Sequence, residues 1–174
     1  MLIKNEGRLQ FDFPERWTVS KYDDWSFQKQ FQNICGGAKA VDFLALSPQN
    51  TTWLIEVKDY RVDRRTKPSD LPYEIACKFR DTLAGSACAR VNSNDANEKR
   101  VANAALQTSK IRLVLHLEQP RQHSKLFPRI CDPADIKQKL KTMVKAIDPH
   151  PLVVDMNSDQ DVAWQVTSIK KERV

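Results

Sequence analysis

Two apolar, β-rich runs joined by a turn restrict the fold of this chain more than any other part of it. Residues 39–46 and 51–58 are rich in Val, Leu, Phe, Ile and Trp, and the Ser-Pro-Gln-Asn segment between them has the composition of a turn. The pattern predicts a β-hairpin. Because apolar side chains occupy both odd and even positions, we expect both faces of the hairpin to be buried.

Charged residues interrupt these apolar strands. A hairpin centred on Gln49 sets Asp42 directly opposite Glu56, and Lys58 falls on the same face because strand side chains alternate. Two adjacent buried carboxylates repel unless a cation or a proton lies between them. Oxygen ligands suit Mg²⁺ or Mn²⁺, so the residues predict a divalent-cation site. The alternative is an edge hairpin whose charges are solvated.

The rest of the pattern predicts one α/β domain over residues 1–174, with a central mixed β-sheet flanked by helices. A capping box of Ser20 and Asp23 indicates the start of the first helix. The predicted strands cover residues 8–13, 39–46, 51–58, 111–117, 151–156 and 162–167, and the predicted helices cover 20–34, 71–90, a piece ending near 108, and 133–147.

A basic loop follows the hairpin, and it contains Arg61, Arg64, Arg65 and Lys67. These side chains are candidates for contacts with the phosphates of a nucleic acid, and the alternative is an ordinary solvated loop. The formal net charge of +6 permits a polyanionic partner without demonstrating one.

At the hairpin, the sequence resembles the PD-(D/E)-x-K nuclease superfamily. The resemblance rests on Asp42 and on the run Glu56-Val57-Lys58, while Val41 stands where the name-giving proline would be. It implies a restriction-endonuclease-like fold with an αβββαβ-type core and C-terminal additions. It also implies that Asp42, Glu56 and the backbone carbonyl of Val57 bind Mg²⁺ or Mn²⁺, and that Lys58 assists the attacking water.

Two further residues follow from the same resemblance as accessory candidates. Many members carry an acidic residue on the first helix, for which Asp24 is the candidate, and a polar residue on the next helix, for which Lys78 is the candidate. The function implied is a Mg-dependent phosphodiesterase, a deoxyribonuclease-like hydrolase that cleaves DNA. Replacing Glu56 by alanine should then abolish cleavage while leaving folding intact, or even raise stability in the absence of metal.

The alternative function is a catalytically silent domain of the same fold, acting as a nucleic-acid-binding or protein-interaction subunit. The sequence does not distinguish DNA from RNA as the substrate, or endonucleolytic from exonucleolytic cleavage. It also leaves open the specificity, the biological pathway and whether the chain forms a homo-oligomer.

No apolar run approaches the roughly 20 residues that span a bilayer, and residues 1–6 lack the apolar stretch of a secretory signal. The four cysteines form no C-x-x-C pair. We therefore expect a cytoplasmic protein without a membrane partner.

Overall fold

The fold is known from a computed structural model that describes residues 1–63, 65–66, 69–120, 131–158 and 162–169. Strands and helices are interspersed along these residues. In chain order they are β1 (Leu2–Glu6), β2 (Leu9–Phe13), β3 (Thr18–Lys21), α1 (Ser26–Phe31), β4 (Phe43–Ser47), β5 (Thr51–Asp59), α2 (Leu71–Asn92), α3 (Ala96–Leu106), β6 (Lys110–Glu118), α4 (Pro133–Val144), β7 (Leu152–Val154) and β8 (Gln165–Ser168).

The strands form two sheets. The larger sheet has the order β3-β4-β5-β6-β7, antiparallel from β3 to β5 and parallel from β5 to β7. The smaller sheet, β1-β2-β8, is antiparallel. The predicted α/β fold with a mixed sheet is thus confirmed, whereas the restriction-endonuclease-like fold stays a prediction.

Both faces of the larger sheet are buried, each in its own core. On β6, Leu113 and Leu115 belong to a core formed with the helices, whereas Val114 belongs to a core that includes Phe11 and Phe13 of the smaller sheet. Alternate residues of a strand point to opposite faces, so a sheet covered on both sides has apolar residues at both odd and even positions. The apolar runs of the hairpin therefore result from this three-layer packing.

The predicted hairpin has the predicted register. Phe43 pairs with Ile55, and Ser47 pairs with Thr51 on either side of the turn. Asn50 has a φ of 55° in that turn, which is a backbone conformation that Asn tolerates better than most residues. The first strand of the hairpin, β4, begins at Phe43, so residues 39–42 precede this strand and are not part of it.

The predicted helix over residues 20–34 is wrong in its first part. Residues 18–21 form strand β3, and α1 begins only at Ser26. Ser20 accepts a hydrogen bond from the Trp25 indole N–H at 2.6 Å, so it does not cap the helix. Glu98 of α3 accepts the backbone N–H groups of Ser26 and Phe27 instead, at 2.6 and 3.2 Å. The cap is distant in sequence, which is why local pattern did not reveal it.

In the described part of the chain, no helix combines the length and the apolar character that crossing a membrane requires.

Candidate functional site

Three predicted site residues, Asp42, Glu56 and Lys58, lie at the end of the hairpin away from its turn. Asp42 directly precedes β4, and Glu56 and Lys58 lie in β5. Their side chains face the helices, since Lys78 of α2 contacts Glu56. The structure therefore brings Lys78, predicted as an accessory residue, to the same place. We call these four residues the hairpin cluster.

Glu56 is the centre of the hairpin cluster. Its side chain is fully buried, and its Oε1 atom accepts the Nζ groups of Lys58 and Lys78, each at 2.6 Å. Its other oxygen, Oε2, has no hydrogen-bond partner among the residues that the structure describes. Although burial alone would lower the pKa of Lys58, the charge and hydrogen bond of Glu56 raise that pKa. Two lysines therefore balance the charge of Glu56, where the sequence predicted a metal ion shared with Asp42.

Asp42 lies in a different electrostatic environment. Its Oδ2 atom accepts the backbone N–H of Val57 at 2.6 Å. Burial, followed by the negative charge of Glu56, raises the pKa of Asp42 to about 8, despite the opposing charge of Lys78. Asp42 therefore holds a proton near neutral pH unless a cation replaces it. Val57 contacts Asp42 through its N–H group, and its carbonyl stays a predicted ligand only.

A second group of side chains, all carboxylates, shares Asp42 with the hairpin cluster. Glu6, Asp23 and Asp42 each place one carboxylate oxygen within 4.8 Å of the others. Glu6 also pairs with Lys21 at 2.8 Å. We call Glu6, Asp23 and Asp42 the acidic cluster. The sequence missed Glu6, because no local pattern shows that β1 passes beside the residues that precede β4.

Asp24, the predicted accessory acid, lies outside the acidic cluster. Its side chain is 67% exposed, and its nearest charged partner is Lys21 at 3.9 Å. Its neighbour Asp23 occupies the cluster, and burial raises the pKa of Asp23. The reason is that these residues follow β3 in a turn, so they do not have the helical orientation that the sequence predicted.

The basic loop is only partly described by the structure. Arg61 donates to both oxygens of Asp59, at 2.8 and 2.7 Å. Arg65 donates to Glu74 at 3.1 Å and to Ser69. Both guanidinium groups thus have intramolecular partners, and contact with phosphate stays a prediction for them. The other two predicted contacts, Arg64 and Lys67, lie outside the described residues.

A row of lysines on α4 was not singled out from the sequence. Lys137, Lys141 and Lys145 are exposed and follow one another at intervals of four residues, the last as the C-cap. The residues just before them, Ile136, Leu140 and Val144, form the buried face of the same helix. The interval of four was the available signal, because it places side chains on one helical face. We call these three lysines the lysine row.

Comparison with curated proteins finds a cysteine–tRNA ligase of Neisseria meningitidis serogroup A / serotype 4A, which is 38% identical over 175 residues. The match includes 81% of this chain but 25% of the ligase, so the chain spans about a quarter of the length of this relative. No family model and no solved structure matches.

This similarity contradicts the nuclease prediction. The relative is named as an enzyme, but as a ligase that acts with tRNA, and not as a nuclease or hydrolase. A Mg-dependent phosphodiesterase and a DNA partner accordingly lack support. The error has a physical reason. The signature predicts where Asp42, Glu56 and Lys58 lie, but side chains in these positions can also form a buried network whose charges balance without any catalytic role. Three side chains alone do not define a reaction.

Proposed function

We propose that this chain is an RNA-binding module that contacts tRNA through the lysine row. The observation that carries the proposal is the row itself, three exposed ammonium groups on one face of an anchored helix. The similarity to a cysteine–tRNA ligase and the net charge of +6 support the choice of partner.

The geometry of α4 suits contacts with a phosphate backbone. Residues four apart on an α-helix are separated by about 6 Å along its axis. In the described ranges, Lys137, Lys141 and Lys145 have no acidic partner within 4 Å. Lys139, on another face, lies 3.9 Å from Asp70. Lysines without intramolecular partners can neutralise phosphates and release counterions, which gives affinity without sequence specificity.

Reversing the charge of the lysine row should weaken binding to tRNA. We expect the triple variant Lys137→Glu, Lys141→Glu, Lys145→Glu to bind fluorescein-labelled bulk tRNA at least tenfold more weakly by anisotropy. The slope of log affinity against log salt should fall by roughly 2–3, since each lost phosphate contact removes about 0.7–0.9. A second triple variant, Lys29→Glu, Lys99→Glu, Lys110→Glu, alters three exposed lysines on other elements and provides the matched control. Equal losses in the two variants would contradict the proposal.

We also propose that the acidic cluster binds Mg²⁺ or Mn²⁺. Three carboxylate oxygens within 4.8 Å of one another are hard ligands of the kind these ions prefer. Burial and the charge of Glu56 already favour a proton on Asp42, and a dication would relieve the same repulsion. When bound, such an ion would offer a positive charge to a phosphate at this end of the hairpin. Asp42 is the residue that the sequence-predicted metal site and the acidic cluster have in common.

Thermal unfolding with Mn²⁺ tests this cation site. At a concentration tenfold above the dissociation constant, bound Mn²⁺ should raise the Tm by about 3–6 °C. Asp23→Asn should abolish the increase, because it removes one ligand of the acidic cluster. Asp24→Asn is the matched control, since this exposed neighbour lies outside the cluster and should retain the full increase. No increase in the wild type, or the same response in both variants, would exclude the site.

A further inference from the structure

An apolar groove lies between α2 and the end of α4. It has a volume of about 330 Å³, and its lining includes Tyr73, Ala76 and Arg80 of α2, together with Met143, Ala146 and Ile147 at the end of α4 and in the turn after it. The side chains of Tyr73 and Met143 are 59% and 46% exposed. Large apolar side chains that meet at a solvated groove are typical of a surface that binds a partner.

Tyr73 offers its aromatic ring to solvent. The other aromatic side chains in the ranges that the structure describes are buried or half-buried. A ring that is not packed against the core has a face available for stacking on a planar ligand. The small side chains of Ala76 and Ala146 keep the groove beside the ring open. The groove therefore suits a flat, apolar group.

Arg80 is the charged residue among the described residues that line the groove. Its Nε and Nη2 atoms each lie 2.8 Å from Oδ1 of Asp81, whose other oxygen accepts the backbone N–H of Lys39 at 2.9 Å. Asp81 thus orients the guanidinium, which is 66% exposed and has further N–H donors for an anion. Tyr73 and Arg80 are two helical turns apart on one face of α2.

We propose that this groove binds an unpaired nucleotide of RNA, with its base stacked on Tyr73 beside Met143 and its phosphate bound by Arg80. A nucleotide combines a planar base with an anionic phosphate, and the groove combines an exposed ring with one oriented cation. An amphipathic helix also fits an apolar groove, but the net charge of +6 and the lysine row on α4 favour an anionic partner. The inference rests on the proposed RNA-binding function and assigns it a second site.

The groove and the lysine row lie on different sides of α4. Met143 follows Lys141 by two residues, so the two side chains point about 200° apart around the helix axis. The exposed residues Gln138 and Thr142 lie between them. An RNA strand that crosses this exposed side can contact the lysine row with its phosphates and Tyr73 with a base. The lysines then supply salt-dependent affinity, whereas stacking on Tyr73 supplies a preference for unpaired nucleotides.

Two short oligomers of equal length separate a base contact from a phosphate contact. One is fluorescein-labelled single-stranded oligouridylate, and the other is the same ribose-phosphate chain without bases. We expect the wild type to bind oligouridylate at least fivefold more tightly by anisotropy, because only this oligomer can stack on Tyr73. The lysine-row variant should bind both oligomers more weakly and keep the preference. Equal affinity of the wild type for the two oligomers would overturn the proposal.

Variants at Tyr73 show whether its ring causes the preference. Tyr73→Ala should reduce the preference for oligouridylate to less than twofold, and Tyr73→Phe should retain it. Val91→Ala is the matched control, since Val91 is 66% exposed on the same helix but does not line the groove. An unchanged preference in Tyr73→Ala would contradict this site, even where the lysine-row variant loses tRNA binding. A wild type that does not bind tRNA would overturn the proposed function as well.

Discussion

Replacing Glu56 by alanine is expected to destabilise the protein by roughly 3–5 kcal/mol, the cost typical of removing one partner from a buried ion pair. Glu56 is fully buried and accepts two ammonium groups on one oxygen. Without it, Lys58 and Lys78, whose side chains are only 21% and 17% exposed, would lose the carboxylate oxygen that accepts both of them. Urea unfolding at pH 7 measures the difference.

Two variants show whether charge is the cause. Adding Lys78→Met to the Glu56→Ala protein removes one of the two cations and should recover at least half of the lost stability. Glu15→Ala removes an exposed ion pair with the Met1 amino group, and should leave the stability close to that of the wild type. A Glu56→Ala protein within 1 kcal/mol of the wild type would show that the hairpin cluster is not a buried ion network. The sequence alone predicts such a result, because it leads us to expect that Glu56→Ala leaves folding intact.

Asp42→Asn is expected to stabilise the metal-free protein above pH 8, by roughly 2 kcal/mol or more, and to have little effect near pH 4. The pKa of Asp42 is about 8 in the folded protein, against an ordinary value of 3.8. Between these values, the folded protein holds a proton that the unfolded chain has released. The free energy of unfolding of the wild type therefore falls as the pH rises from about 4 to 8. Above pH 8, the titration of Asp42 no longer changes it. Asparagine stays neutral and keeps an acceptor for the Val57 N–H.

The measurement is urea unfolding of wild type and Asp42→Asn at intervals from pH 4 to pH 9, with EDTA present. Asp24→Asn serves as the comparison, because this exposed side chain should give a small difference at every pH. A difference between Asp42→Asn and wild type that does not change with pH would show that Asp42 titrates normally. Adding Mn²⁺ at high pH should make the wild type more stable than Asp42→Asn, since only the wild-type carboxylate binds the ion well.

The hairpin was predictable because two local rules agree on it. The turn composition located the reversal, and side-chain alternation then fixed which residues share a face with Glu56. The same rules placed Lys58 correctly beside Glu56. Those rules did not reveal the partner from another element, which only the family resemblance named as a candidate. Lys78 reaches Glu56 from α2, and its contact replaces part of the charge balance that the sequence assigned to a metal.

Long-range contacts explain the other errors. The start of α1 depends on Glu98, which lies 72 residues after Ser26, so the local capping box at Ser20 was misleading. Glu6 joins Asp42 only because β1 and the larger sheet lie side by side, which no local spacing encodes. The function was misjudged for a different reason. A motif of three residues describes geometry, while the similarity to a tRNA ligase extends over most of the chain.

Lysine footprinting tests the central claim, contact of the lysine row with tRNA, most directly. The chain is acetylated briefly with and without saturating tRNA, and modification at each lysine is quantified by mass spectrometry. We predict at least threefold protection of Lys137, Lys141 and Lys145, with Lys29 and Lys110 unchanged. Protection spread evenly over all exposed lysines, or absent from α4, would contradict the account.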